Sequence, residues 1–501
     1  MTLTQLPAVD TEESPPDPGG MIDALARIGY SLHDALADLI DNSVDASARN
    51  VLVRFVRDDQ SIQRIVVADD GNGMSDSQLS RAMVFGVNLE HGRTDLGKYG
   101  VGLKTASFSQ CQEVSVLSTR DGRAGGRRWQ REMIKRGWLS ERLEPAACAA
   151  MLAEGWGPVA IKKSGTLIVW DQLNRLDIGK QGIDAALSRF MRRLPIELGL
   201  VFHRHLGAGR LRIAIDTQHV ATGELGPVHQ VEALDPFGYR RTGRNGYPCS
   251  FQVRLNDGPP FQMAAHIWPA KSKDPEYRLG GGKVAARQGF YFYRNDRLIQ
   301  AGGWNGWREH DAEPHSSLAR AAIDLPSELD SQFQLNVQKS KVEVPPSFED
   351  ALEKARSGKT TLRDYLRDAV DVYRTEGVKE AGRTIPAILG SGLPAKLRAG
   401  SLRRLGGEKT RRREIEFVWD DLDDDLFFIL EREDLRVVLN RQYRSAVLQG
   451  AHASAADAPL VKTLLFFAVQ REFDHQRESA ARKKNLDDLN ALLVAAAQAQ
   501  S

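Results

Sequence analysis

Asp38, Asn42 and Asp45 stand at i, i+4 and i+7, so a helix through them would carry two carboxylates and an amide on one face. A carboxylate so placed can orient or deprotonate a water. One Asn carbonyl is enough for magnesium, which keeps its waters and its substrate phosphates. The same spacing also fits a solvated acidic face. Asp69 ends the β-branched run Arg64-Ile65-Val66-Val67-Ala68 and precedes Gly71, Asn72, Gly73 and Met74. Its carboxylate can accept from an amino group such as that of adenine, and the glycines let backbone approach a ligand closely. Alone, Asp-Gly-Asn-Gly reads as an ordinary turn. Gly97-Lys98-Tyr99-Gly100-Val101-Gly102-Leu103-Lys104 leads into a helix start, which turns amide N–H groups and a positive dipole end toward phosphate. Leu103 stands where a P-loop needs Lys, and Thr105 where Gly-x-Gly-x-x-Gly needs its last glycine. The phosphate loop is of another kind.

In this order and spacing the three stretches resemble the Bergerat-fold ATPases, which include gyrase B, the ninety-kilodalton heat-shock chaperones, sensor histidine kinases and MutL, with the bacterial MORC-like branch nearest. Ser164-Gly165-Thr166 followed by Leu167-Ile168-Val169-Trp170 is similar to the family's late Gly-Thr strand. Gln288 to Ile299 is similar to a MORC-like transducer domain, and Asn336-Val337-Gln338-Lys339-Ser340-Lys341 falls where that domain sends a lysine to the γ-phosphate. The likeness covers roughly residues 21 to 348. It implies ATP and Mg2+ as cofactors, Asp38 as general base, Asn42 as magnesium ligand with Asp45 on the nucleotide side, and Asp69 on adenine. Gly71, Gly73 and Met74 would shape the adenine pocket, and the Thr166 hydroxyl would lie near its water network. Gly97, Lys98, Tyr99, Gly100, Val101, Gly102, Leu103 and Lys104 would form the lid hinge and phosphate cradle. Lys339 is the first candidate for the transducer lysine, Lys341 the alternative, and both also read as solvated surface lysines. Hydrolysing members usually carry Glu where this chain has Asp38, one methylene shorter, so slow ATP hydrolysis is expected. Asp34, one turn earlier, reads as a capping acid or a substitute base.

These residues need an α+β scaffold: a Bergerat-type α/β sandwich at 21–175, then a transducer of the ribosomal-protein-like α/β type at 176–348. Ser31 can cap the first helix, on which Ala35, Leu36, Leu39, Ile40 and Ser43 form the inner stripe. A helix is expected over 181–205, and strands at 211–215 and 289–293. Residues 1–20, rich in Pro and acid, read as a disordered tail. Beyond the transducer the reading places a helical connector at 349–384, a basic linker at 385–413 and a small mixed or helical C-terminal domain at 414–501. The acidic run Asp420 to Asp425 reads as a solvated turn.

The 501 residues allow three ordinary domains, and 42% hydrophobic composition supports real cores. No apolar run approaches the ~20 residues of a membrane span, and Met1 to Gln5 lacks the features of a secretory signal. Three well-separated cysteines form neither a disulfide framework nor a zinc site, so a reduced cytoplasm is expected. A net charge of +2 leaves any DNA contact to local clusters. Two exist: Lys396, Arg398, Arg403, Arg404, Lys409, Arg411, Arg412 and Arg413; and Arg123, Arg127, Arg128, Arg131, Lys135 and Arg136 with Trp129 among them. Such runs are also ordinary solvated faces.

The expectation is therefore a MORC- or MutL-like homodimer whose heads associate on Mg-ATP and reopen on slow hydrolysis, acting on DNA, in a restriction or phage-defence setting. Its competitor is a nucleotide-sensing scaffold without useful turnover. A sensor kinase would need an acceptor His on a dimerising helix, and none of the 11 histidines offers one near the ATP segment.

Overall fold

The computed structural model describes residues 10–27, 29–85, 102–174, 182–256, 258–308, 313–329, 332–335, 342–381, 387–405, 412–432, 434–474 and 480–500. Gly97 to Val101, with most of the expected lid, lie outside the described residues, as do Lys339, Lys341, Lys409 and Arg411.

The first unit is an eight-stranded sheet with helices on both faces. Its helices are α1 (Pro18–Ala26), α2 (Leu32–Asp45), α3 (Asp76–Met83), α4 (Gly102–Gln110), α5 (Arg131–Lys135), α6 (Pro145–Leu152), α7 (Ile183–Val201) and α8 (His203–Gly207). Its strands are β1 (Asn50–Arg57), β2 (Ile62–Asp69), β3 (Cys111–Arg120), β4 (Arg123–Gln130), β5 (Glu141–Leu143), β6 (Gly165–Leu173), β7 (Arg212–His219) and β8 (His229–Gln230). They run in the order β5-β4-β3-β6-β2-β1-β7-β8, with β7 parallel to β1. One face packs Val51, Val53, Phe55, Val67 and Trp170 against Leu36, Ile40, Phe108, Leu194 and Phe202. The other packs Leu52, Val66, Leu117 and Val169 against Cys148, Leu152 and Trp156. Strands covered on both faces carry continuous apolar runs, which is why Ile65-Val66-Val67-Ala68 shows no polar alternation.

This unit continues well past residue 175. Helix α7 and strand β7 contribute Ile183, Leu187, Leu198, Ile213 and Ile215 to its core, so residues up to Val231 belong with the nucleotide segment rather than with the second unit. At the other end, Pro18, Gly19 and Gly20 open α1 instead of closing a tail, because the Asp17 side chain caps them by accepting from the Gly20 N–H.

The second unit holds β9 (Cys249–Val253), β10 (Phe261–Ile267), α9 (Pro275–Arg278), β11 (Gly289–Arg294), β12 (Arg297–Ala301), β13 (Ala319–Asp324), β14 (Gln334–Leu335), β15 (Val342–Glu343), α10 (Phe348–Lys354), β16 (Arg356–Ser357), β17 (Thr360–Thr361) and α11 (Leu362–Ala381). Its main sheet runs β12-β11-β13-β10-β9-β16-β17. Phe290, Phe292, Trp304 and Phe348 pack with Leu362, Tyr365 and Ala369 of α11, so the stretch read as a helical connector closes this core.

The third unit comprises β18 (Ala387–Leu389), α12 (Ala395–Leu405), β19 (Arg413–Asp420), β20 (Phe428–Glu431), β21 (Arg436–Asn440), α13 (Arg444–Leu448), α14 (Pro459–Val469) and α15 (Ala480–Gln498). Leu389 and Leu393 share its core with Ile415, Phe417 and Phe466. The described residues of the stretch read as a basic linker, 387–405 and 412–413, hold β18 and the charged helix α12, which packs on the small four-stranded sheet. Among the described residues no helix is long and apolar enough to cross a membrane.

Candidate nucleotide site

Helix α2 begins where expected. Ser31 accepts from the Asp34 N–H and donates to the Asp34 carboxylate at 2.8 Å, which fixes Asp34 as the capping acid. One turn on, Asp38 is 2% exposed and its Oδ2 accepts from the Tyr30 hydroxyl at 2.8 Å. Burial, then the Asp38 charge, raises the Tyr30 pKa, so the phenol stays a donor. Asn42 is half-buried and Asp45 exposed at the helix end, so the acid-and-amide face runs from the interior outward.

Ser43 turns inward beside this face and donates to Asp69 Oδ2 at 3.1 Å. Asp69 also accepts from the Gly71 N–H at 2.9 Å. Burial pushes its carboxyl up to about 6, against the pull of those two hydrogen bonds. The adjacent Asp70 accepts from the Arg49 and Asn50 N–H groups, each at 2.8 Å, and so pins the loop to the start of β1. A Cβ at Gly71 would lie 2.9 Å from both the Cβ and the carbonyl oxygen of Ala46, so the turn sits against the end of α2. Gly73 has φ +63° and no room for a side chain: a Cβ would fall 1.9 Å from the Thr119 carbonyl oxygen. Met74 N–H donates to Ser118 Oγ at 2.8 Å, and Ser118 lies 3.0 Å from the Thr166 hydroxyl. Thr166 is the cross-strand partner of Asp69 in the β2–β6 pair.

Gly102 opens α4, and a Cβ on it would lie 3.7 Å from Asp38 Oδ2. Leu103 packs against the first core. Lys104 is 3% exposed, its ammonium 5.5 Å from the Phe85 ring and 5.8 Å from the Trp129 ring. Burial pushes its pKa down to about 8. The segments near 40, 70 and 102 thus adjoin: Ser43 joins the first two and Asp38 meets the third.

Magnesium fits the donor set: one half-buried amide, Asn42, on the helix face that carries Asp38, with the remaining ligands left to phosphate and water. Among the described residues no group of three His, Cys, Asp or Glu could hold a metal. Tyr30, Ser43, Ser118 and Arg297 are beside the site without being among the site residues expected from sequence. Ser43 was legible only as a hydroxyl breaking an apolar row, and Ser118 carried no local signal.

The middle of the basic patch at 123–136 pairs within the first unit. Arg127 pairs with Asp76, Arg128 with Glu141 and Arg131 with Asp23, while Trp129 is 2% exposed and cannot stack on a base. On α12, by contrast, Lys396, Arg398, Arg403 and Arg404 are all exposed. Of the acidic run, Asp420 ends β19, Asp421 pairs with Arg192 at 3.0 Å, and Asp424 and Asp425 lie in a turn.

Residues 30–157 match the family model described as histidine kinase-, DNA gyrase B-, and HSP90-like ATPase, and the chain carries a domain of that family, the Bergerat type. Over part of its length the chain is similar to MORC proteins: 34% identity over 88 residues to "ATPase morc-1" of Caenorhabditis elegans, covering 18% of this chain and 10% of that protein. "Protein MICRORCHIDIA 3" of Arabidopsis thaliana is 32% identical over 98 residues, covering 18% and 16%. "Protein MICRORCHIDIA 2" of the same organism is 31% identical over 96 residues, covering 18% and 15%. The chain thus spans a sixth or less of the length of these relatives. A solved structure titled "Crystal Structure of N terminal domain of a DNA repair protein" aligns with 72% of this chain and 97% of its own, at 15% identity and a TM-score of 0.40.

Proposed function

We propose that the chain binds Mg-ATP between α2, the Asp69 turn and the start of α4, and hydrolyses it slowly. The observation that carries the reading is the meeting of Asp38 with Gly102 on one side while Ser43 of the same helix holds Asp69 on the other. In this reading Asp69 accepts from the adenine amino group, and the α4 amides receive phosphate. Asn42 would hold magnesium, which when bound offsets charge on the phosphate oxygens. Asp38 takes a proton from water as its oxygen bonds to the γ-phosphorus and the bond to ADP breaks.

Dimerisation of the heads on ATP, and reopening on hydrolysis, are carried over from the MORC and MutL resemblance. Lys339, or Lys341, is proposed as the residue that reports the γ-phosphate. DNA contact is proposed for α12, supported by its four exposed cations on a chain of only +2 net charge. A cytoplasmic setting remains part of the proposal. A second reading, ATP sensing without turnover, is favoured by the shortness and 2% exposure of Asp38. Phosphate release from wild type and Asp38→Asn separates the two: a rate lost in the variant supports hydrolysis, and equal background rates support the sensor.

A further inference from the structure

Arg297 opens β12 in the second unit, yet its guanidinium lies inside the first. Its side chain is 2% exposed; Nε donates to Asp41 Oδ1 at 2.8 Å, and Nη2 lies 3.9 Å from Asp38 Oδ1. Asp38 and Asp41 are one turn apart on α2 with side chains only 1% exposed. Two carboxylates buried this close repel, and a cation seated between them offsets that repulsion. Asp41 takes the directed bond, which leaves the other edge of the guanidinium toward Asp38. The Asp38 carboxylate therefore has the Tyr30 hydroxyl on Oδ2 and the Arg297 charge beside Oδ1.

The hairpin that delivers Arg297 is clamped to the first unit. Asn295 and Asp296 form its turn at φ +47° and +63°. His205 of α8 contacts the Asn295 carbonyl at 3.1 Å, and Asp296 accepts from Arg204 at 3.3 Å and Arg210 at 2.6 Å. Seating of the second unit thus sets where the guanidinium stands.

We infer that Arg297 is a positioning residue for Asp38, and that it makes the alignment of the attacking water depend on how the β11–β12 hairpin sits against α2. The inference rests on the hydrolysis reading above and assigns Arg297 no contact with nucleotide. An aspartate has less reach than a glutamate, so a fixed carboxylate orientation matters more here.

The test uses the full chain: Arg297→Gln, Arg297→Lys, Arg210→Ala and Asp38→Asn, with Mg-ATP affinity, steady-state kcat and unfolding midpoint measured for each. Arg297→Gln is expected to lower kcat on the order of tenfold or more while the ATP Kd stays within about twofold. Arg297→Lys should recover part of that loss. Arg210→Ala, at the exposed clamp, should lower kcat about two- to fivefold with the buried charge intact. Adding Arg297→Gln to Asp38→Asn should cost nothing further. An unchanged kcat in folded Arg297→Gln overturns the inference while leaving Asp38 as base, as does a parallel loss of affinity and rate that Lys fails to restore. If Arg297→Gln does not fold, the Lys and Arg210 variants decide, and wild-type kcat in both overturns it. Wild-type turnover equal to that of Asp38→Asn removes the hydrolysis reading and Arg297's role together.

Discussion

The hydroxyl of Ser43 donates to Oδ2 of Asp69 at 3.1 Å, although 26 residues separate the two in sequence. One hydrogen bond thereby ties the helix that carries Asp38 and Asn42 to the strand end that would receive the base. Ser43 is 1% exposed and Asp69 4%, so neither group exchanges this bond for water.

Under the proposed adenine role, the Asp69 carboxyl, raised by burial to about 6, would give nucleotide binding a pH dependence. Adenine's amino group donates to the ionised form, so ATP affinity should weaken as pH falls from about 7.5 to 5.5. Calorimetry at pH near 6 in two buffers of different ionisation enthalpy should detect proton release on binding. Asp69→Asn should weaken binding about tenfold or more and remove the proton release; a pH-independent affinity in wild type would unseat the adenine assignment. Without nucleotide the sign runs the other way for stability. The folded pKa of about 6 exceeds the unfolded 3.8, so the folded state binds the extra proton and loses up to a few kcal/mol as pH rises through that window.

Asn42→Ala should abolish the part of nucleotide affinity that EDTA removes from the wild type. A half-buried helix position away from the core changes stability by about 0.5 kcal/mol or less, so the unfolding midpoint should hardly move. Titration with ATP, with and without magnesium, checks both halves, and retained magnesium dependence would remove Asn42 as the ligand.

Gly73→Ala places a Cβ against the Thr119 carbonyl at 1.9 Å and asks Ala to hold φ +63°. Backbone has to shift, at a cost of about 2 kcal/mol or more, and the Asp69 turn shifts with it. Gly122→Ala is the control: φ is +75° but nothing lies within 4 Å, so only the conformational cost of about 1 kcal/mol remains. Thermal unfolding and ATP affinity of the two variants, side by side, give the comparison.

Reversal of Lys396, Arg398, Arg403 and Arg404 to Glu should weaken binding to plasmid DNA and flatten its dependence on salt. Reversal of Arg123 and Arg136, exposed on the other patch, should leave both unchanged. A gel shift indifferent to the α12 changes would remove that helix from DNA contact.

Local geometry was legible and long-range assembly was not. The Asp38–Asn42 spacing, the Asp69 turn and the helix at Gly102 could be read because each is a short pattern with its own physical cause. The limit of the first unit could not: nothing within 212–219 says that this strand pairs with 50–57 rather than with its neighbours in the chain. The same holds for Arg297, whose partner Asp41 is 256 residues away. Charge clusters were legible as composition only, since pairing decides whether Arg127 serves a ligand or Asp76.

The pairing of β7 with β1, locked by the doubly bonded Arg54 and Asp216 across 162 residues, bears on how this protein comes into being. During synthesis β1 to β6 emerge long before β7, and until it arrives β1 is an open edge able to recruit any extended chain. A fragment halted near residue 175 should accordingly aggregate, whereas one carried through Val231 has the pieces to close.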